Sequence, residues 1–213
     1  MRKVANITIA LTEQNDYNKG EMIMGLDMYL EKCDRRAWGF RGLDIDQLKV
    51  DNPALYNEIK PYIYERGEYY HWETFFAEVG YWRKANAIHR WFVENVQDGV
   101  DNCDRYEVSK EQLEVLLETC NEVLKNCKLV EGLIGNGYTY ENGNKIKNYV
   151  EGKYVEDPSV AEELLPTTDG FFFGGTDYDE YYIEDVQYTA DIIKKVLETT
   201  DFDKEMIVYD SSW

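Results

Sequence analysis

Glu78-Val79-Gly80-Tyr81-Trp82-Arg83-Lys84-Ala85-Asn86-Ala87-Ile88-His89-Arg90-Trp91-Phe92-Val93 decides how the chain is read. Its first part reads as a short aromatic strand. From Lys84 onward, Ala85, Ile88, Phe92 and Val96 recur at helical spacing, and Asp98-Gly99 supplies a stop. A strand that runs straight into an amphipathic helix predicts mixed architecture. The same sixteen residues hold two Trp, one of the chain's two His and three cations, in a protein of formal charge −19. That contrast makes the stretch the leading site candidate.

On a helical reading, Trp82, Asn86, His89 and Val93 line one edge. Arg83, Ala87, Arg90 and Glu94 line another, and Ala85, Ile88 and Phe92 face the core. The indole can stack on a planar ligand, the amide can read a hydrogen-bonding edge, and the imidazole can donate or accept. Arg83, Lys84 or Arg90 can take a phosphate or carboxylate. These types in this pattern suit a nucleotide-like ligand. The candidate binding residues are Trp82, Arg83, Asn86, His89, Arg90 and, just past the Gly174-Gly175 turn, Tyr178. The competing reading makes Trp82 and Trp91 core rings, His89 a capped surface histidine, and the cations partners for surplus acids.

Outward from this stretch, Gly25-Leu26-Asp27-Met28-Tyr29-Leu30-Glu31 alternates as a half-buried strand, with Leu26, Met28 and Leu30 inward. Cys33 to Gly42 reads as a polar, Arg-bearing loop around Trp38. Asn52-Pro53 starts a helix, with Asn52 as cap and Pro53 in the first turn. Ser109 with Gln112 makes a capping box ahead of Leu113, Leu116, Leu117, Cys120, Val123, Leu124 and Cys127, a helix whose apolar side is core. Residues 132–155 read as a β-hairpin excursion turning at Asn142-Gly143, with a further turn at Asn136-Gly137. Asp157-Pro158 opens a short helix that Pro166 closes. Phe171-Phe172-Phe173 reads as a buried strand, followed by a helix whose apolar face is Tyr182, Val186, Ala190, Ile193 and Leu197. Met206 to Tyr209 closes the chain as a strand. Strands and helices mix without βαβ alternation. The expectation is α+β: one compact domain over 24–213, a small sheet packed by about three main helices, and the hairpin.

Residues 1–23 cancel in charge, and the composition changes at Met24. The segment reads as an N-terminal extension or a mis-assigned start, with Val4 to Leu11 an edge strand if it folds. The charge excludes nonspecific binding to a nucleic-acid backbone, which needs clustered Lys and Arg. It suits a basic protein partner, a metal ion or simple solubility. No apolar run reaches the length of a membrane span, and no secretory leader is legible. Four cysteines show no metal or redox spacing, so reduced thiols in a cytoplasmic protein are expected, with Cys120 and Cys127 as apolar fillers. The 18 tyrosines exceed the needs of the core and are compatible with a wet interface or a homo-oligomer.

Gly174-Gly175-Thr176-Asp177-Tyr178-Asp179-Glu180 superficially has the form of a phosphate cradle, but it lacks the Lys and Ser/Thr of a P-loop. Asp177 with Glu180 reads as a capping box. Asp177, Asp179 and Glu180 are also the weak candidates for a divalent ion, the only cofactor considered. No nucleophile elbow, HExxH, dinucleotide fingerprint or kinase signature is present, and the residues make no positive case for an enzyme.

At Met24-Gly25-Leu26-Asp27-Met28-Tyr29-Leu30, at Glu78 to Val93 and at Gly170-Phe171-Phe172-Phe173-Gly174, the chain resembles an uncharacterised family of small tailed-bacteriophage proteins, with members also in some bacteria. Their members typically begin at the MGLDMYL segment, and the match touches most of residues 24–200. The resemblance implies a shorter start and a phage accessory role in a bacterial cytosol. It transfers no catalytic residue. The expected function is a noncatalytic binding protein capturing a nucleotide-like molecule, such as a host-defence signal. The alternatives are an acidic protein that blocks a basic host protein, and a metal-assisted hydrolase using Asp177, Asp179 or Glu180 with His89.

Overall fold

The computed structural model describes residues 25–66, 72–141, 143–170 and 172–213. The N-terminal extension and its edge strand lie outside the described residues. Four strands form the main sheet: β1 (Asp27–Asp34), β4 (Ala77–Arg83), β5 (Tyr106–Val108) and β8 (Glu205–Ser212). Their order is β4-β1-β8-β5, with every neighbouring pair antiparallel. The last strand of the chain therefore lies inside the sheet, paired on both sides.

The inward positions of β1 are as the alternation requires: Leu26, Met28 and Leu30 are fully buried. They meet Ile207 and Tyr209 of β8 and the apolar faces of three helices, α3 (Asn86–Asn95), α4 (Lys110–Asn126) and α6 (Glu180–Thr199). In α4, Ser109 and Gln112 form the capping box, and Leu113, Leu116, Cys120 and Val123 are buried. Gly80 admits α6 to the sheet, since a Cβ there would lie 2.9 Å from the Ile192 side chain. The opposite face is covered in part by a smaller layer built from α1 (Ile45–Asp51) and α2 (Pro53–Ile59). There Cys33, Met206 and Val208 pack on Ile45, Ile59, Phe75 and Phe76. Asn52 caps α2 as expected, accepting from the Leu55 amide. Strands β2 (Tyr64–Arg66) and β3 (Trp72–Thr74) pair alongside.

The excursion is a long ribbon of β6 (Leu129–Glu141) and β7 (Asn144–Val155), followed by α5 (Ser159–Leu164). The architecture is α+β, and among the described residues no helix is long and apolar enough to cross a membrane.

Four local expectations are corrected. Asn136-Gly137 makes a bulge within β6, where the register slips between Gly135 and Tyr138, because Gly137 takes a left-handed φ of 70° without leaving the ladder. Phe172 and Phe173 form no strand: Phe172 is left-handed, at φ 67°, and only Phe173 is buried. The cap of α6 is Asp179, not Asp177, since its Oδ1 accepts from the Tyr181 and Tyr182 amides at 3.0 and 3.1 Å. Glu31, on the side of β1 read as polar, is 1% exposed and pairs with Arg105.

Candidate functional site

The helical reading of Trp82 to Val93 holds only from Asn86. Lys84 takes a left-handed φ of 62° between β4 and α3, and its amide donates to the Leu26 carbonyl at 2.8 Å. Trp82 thus belongs to the strand, so it does not share a helix edge with Asn86 and His89. Its ring is 2% exposed, and Nε1 donates to Thr189 Oγ1 at 2.9 Å.

Asn86, at the start of α3, is buried and committed in full. Nδ2 donates to the carbonyls of Phe173 (3.1 Å) and Gly175 (2.7 Å), and Oδ1 accepts from the Thr168 amide at 3.0 Å. One side chain thereby holds the irregular 167–175 segment against the helix. Backbone groups turned toward a packed helix need partners, and an amide, which donates twice and accepts, answers three of them.

His89 lies one turn further along α3 and is 1% exposed. Nδ1 is 2.8 Å from the Tyr209 hydroxyl and Nε2 is 3.2 Å from Asp101 Oδ2, while Asp101 Oδ1 accepts from Trp213 Nε1 at 3.1 Å. An ionised Asp101 only accepts, so Nε2 carries the proton and Tyr209 donates to Nδ1. Burial lowers the His89 pKa below its ordinary value, against the opposing pull of Asp101. The arrangement has the order of an Asp–His–hydroxyl relay. Tyr209 is fully buried and cannot meet a substrate, so the relay is a structural strut.

The remaining predicted residues sit nearer solvent. Arg90 Nε donates to Glu94 at 2.7 Å, and Nη1 reaches the Thr167 carbonyl at 3.5 Å. Tyr178 is partly buried, accepts from the Thr167 amide at 3.3 Å and packs its ring 5.0 Å from Tyr182. Arg83 is partly exposed at the end of β4. The structure thus assembles Asn86, Arg90 and Tyr178 around the 167–175 segment, while Trp82 and His89 face the core.

A surface group that the residues alone did not single out lies beside them. Lys84 is exposed and Phe172 is 44% exposed. Both are non-glycine residues at positive φ, and Gly174, at φ 95°, completes the cluster. Gly174 abuts Lys84, and Gly25 gathers the others: a Cβ on Gly174 would lie 3.1 Å from Lys84 Cβ, and one on Gly25 would lie 3.4 Å from Lys84 Cε, 3.7 Å from Arg83 Nη2 and 3.9 Å from the Phe172 carbonyl. Left-handed conformations of bulky residues cost about 1–3 kcal/mol each, and the Asn86 clamp is what holds them.

The acids considered for a metal are otherwise engaged. Asp177 pairs with Lys147, with Nζ 2.8 Å from Oδ1, and Asp179 is the helix cap. Burial raises the Asp179 pKa despite its two amide hydrogen bonds. Among the described residues no group of three or more His, Cys, Asp or Glu is placed to hold a metal ion.

Across the sheet a cleft of about 280 Å³ opens between Arg41, Phe75, Phe76 and Arg105. Arg105 lies 4.4 Å over the Phe76 ring and pairs with Glu31 (3.2 Å) and Asp210 (3.0 Å). Two carboxylates against one guanidinium leave this corner negative, which disfavours an anion. Comparison with protein-family models, curated proteins and solved structures gives no match.

Proposed function

We propose that this is a noncatalytic binding protein that captures a planar, anionic, nucleotide-like molecule on the surface formed by Lys84, Arg83 and Phe172. The observation that carries the reading is the convergence of Lys84, Arg83 and the Phe172 carbonyl on Gly25, with Lys84 and Phe172 each held left-handed and Gly174 against Lys84. Backbone strain concentrates where a fold presents side chains in a fixed attitude. Here it presents an ammonium group and an aromatic ring beside a guanidinium, types that complement a phosphate and a base. Asn86 supports this surface from within through the Phe173 and Gly175 carbonyls. A phage accessory role in the host cytosol, such as sequestering a defence signal, accords with the resemblance at the MGLDMYL segment.

Calorimetric titration with nucleoside mono- and diphosphates, cyclic dinucleotides and ADP-ribose tests the reading. Saturable binding lost in Lys84→Ala and Phe172→Ala supports it. Absence of binding to every ligand, or turnover of a bound one, counts against it.

A second reading rests on a different observation. The outer side of α4 exposes Glu111, Glu114, Glu118 and Glu122 at steps of three and four, in a chain of charge −19. Such a face suits a basic protein partner and predicts co-purification that is lost at high salt.

A further inference from the structure

The β6–β7 ribbon meets the body at its base and, through one lysine, nearer its tip. The Val155 amide donates to the Tyr178 carbonyl at 2.9 Å, Tyr154 bridges to Asp179, and Lys147 reaches Asp177. Elsewhere the two strands pair with each other alone. A two-stranded ribbon is marginal in water unless a face is covered. Yet Leu133, Tyr138, Tyr149 and Tyr140, the last 72% exposed, stand open to solvent.

The register puts these four on one face. Leu133 pairs with Glu151, Gly135 with Tyr149, Tyr138 with Lys147 and Tyr140 with Lys145, and cross-strand partners share a face. Charge is graded along it. The base carries Glu131 and Glu151, with Lys153 offsetting one of them, and the tip carries Lys145 and Lys147, the latter already paired with Asp177 of the same chain. A face negative at its base and positive at its tip complements a copy of itself laid antiparallel, which is the geometry of a two-fold contact. Lys145 of each copy then meets Glu131 of the other, and the tyrosines fill the centre. A single-stranded nucleic acid would also use tyrosines and lysines, but the charge of −19 opposes it.

We propose that the tyrosine face of the hairpin is the surface through which two copies of this chain pair, arm on arm and antiparallel. The proposal is independent of the small-ligand surface at Lys84.

Sedimentation velocity from micromolar to submillimolar concentration tests it, using the full chain. The wild type is expected to form a reversible dimer. Lys145→Glu alone and Glu131→Lys alone should each weaken it by about tenfold or more. The double variant should restore it, because each reversed charge again meets its opposite on the partner. Positions 131 and 145 lie roughly 30 Å apart along one arm, so the recovery cannot arise within a single chain. A monomer throughout the range overturns the proposal, as does a double variant no tighter than the singles. Binding of a mixed-sequence single-stranded oligonucleotide by a chain that stays monomeric overturns it in favour of nucleic acid. Ligand titration of the same variants should be unchanged, which separates this failure from that of the Lys84 surface.

Discussion

His89 Nδ1 and the Tyr209 hydroxyl lie 2.8 Å apart and join α3 to the central strand of the sheet. The pair is built for a neutral imidazole. Burial holds the His89 pKa below its ordinary value of 6.5, whereas the unfolded chain protonates near that value. The unfolded state therefore binds the extra proton first. The stability that His89 contributes is complete above about pH 6.5 and is lost as the pH falls below it. Urea midpoints taken from pH 8 to 5 should decline at the acid end, and His89→Gln should lose that component of the slope. Because it breaks a buried network, His89→Gln should also cost about 2–3 kcal/mol at pH 8.

Asn86 supports a sharper test, because its two ends do different work. Asn86→Asp keeps an acceptor for the Thr168 amide but sets a carboxylate against the carbonyls of Phe173 and Gly175, which Nδ2 now serves. Asn86→Asp should destabilise at neutral pH by at least as much as Asn86→Ala, about 2–4 kcal/mol. Hydrogen exchange should quicken across 167–175 in both variants while the amides of α4 stay protected. A benign Asn86→Asp would refute the clamp.

What the sequence revealed and what it hid divide along the range of the interactions. The capping box of α4 and the Asn52 cap are decided by residues within a few positions of one another, and both form as the spacing predicts. The place of β8 between β1 and β5 depends on pairings between residues far apart in the chain, such as Tyr29 with Asp210 and Val108 with Ile207, and no local pattern carries it. Phe171 to Phe173 is apolar but too short to show a period. The left-handed turn at Phe172 is imposed from outside by Asn86, so propensity could not announce it. In sequence His89 and Asn86 look like ligand groups, because polar residues beside an apolar stripe usually face water. Here Tyr209, Asp101 and the 167–175 carbonyls satisfy them inside the fold.

Lys84 and Phe172 offer a test of strain against function. Glycine reaches positive φ without penalty, so Lys84→Gly should preserve stability or raise it by about 0.5–1 kcal/mol. The same change removes the ammonium group from the proposed binding surface. Thermal unfolding and calorimetric titration should therefore move in opposite directions: an equal or higher midpoint and weaker binding. Lys84→Ala keeps the strain and removes the charge, so its midpoint should stay near that of the wild type while binding is lost.

The cysteines should separate cleanly by reactivity. Burial pushes the Cys33 thiol up to about 11 and the Cys120 thiol to about 12, and raises that of Cys127, while Cys103 is exposed. Only thiolates react, so iodoacetamide at neutral pH should label Cys103 alone in the folded protein and all four in urea. Intact mass after timed labelling reads this directly. Early modification of Cys120 would mean that the α4 face opens in the native state.

Asp185 acts on stability in the opposite sense to His89. It lies past the first turn of α6, where burial, followed by the charges of Glu184 and Asp179, raises its pKa from 3.8 to about 7. Between those values the folded state keeps a proton that the unfolded chain releases. Rising pH through this window therefore lowers stability, and above about pH 7 the penalty is constant. Asp185 is only partly buried, so solvent screening should hold the penalty to about 1–2 kcal/mol. Asp185→Asn removes the ionisation while keeping the shape. Its urea midpoint should exceed that of the wild type at pH 8 and converge with it near pH 4, leaving the acid-side decline due to His89 in place. A variant less stable than the wild type at pH 8 would show that the Asp185 carboxylate has a stabilising partner in the folded protein.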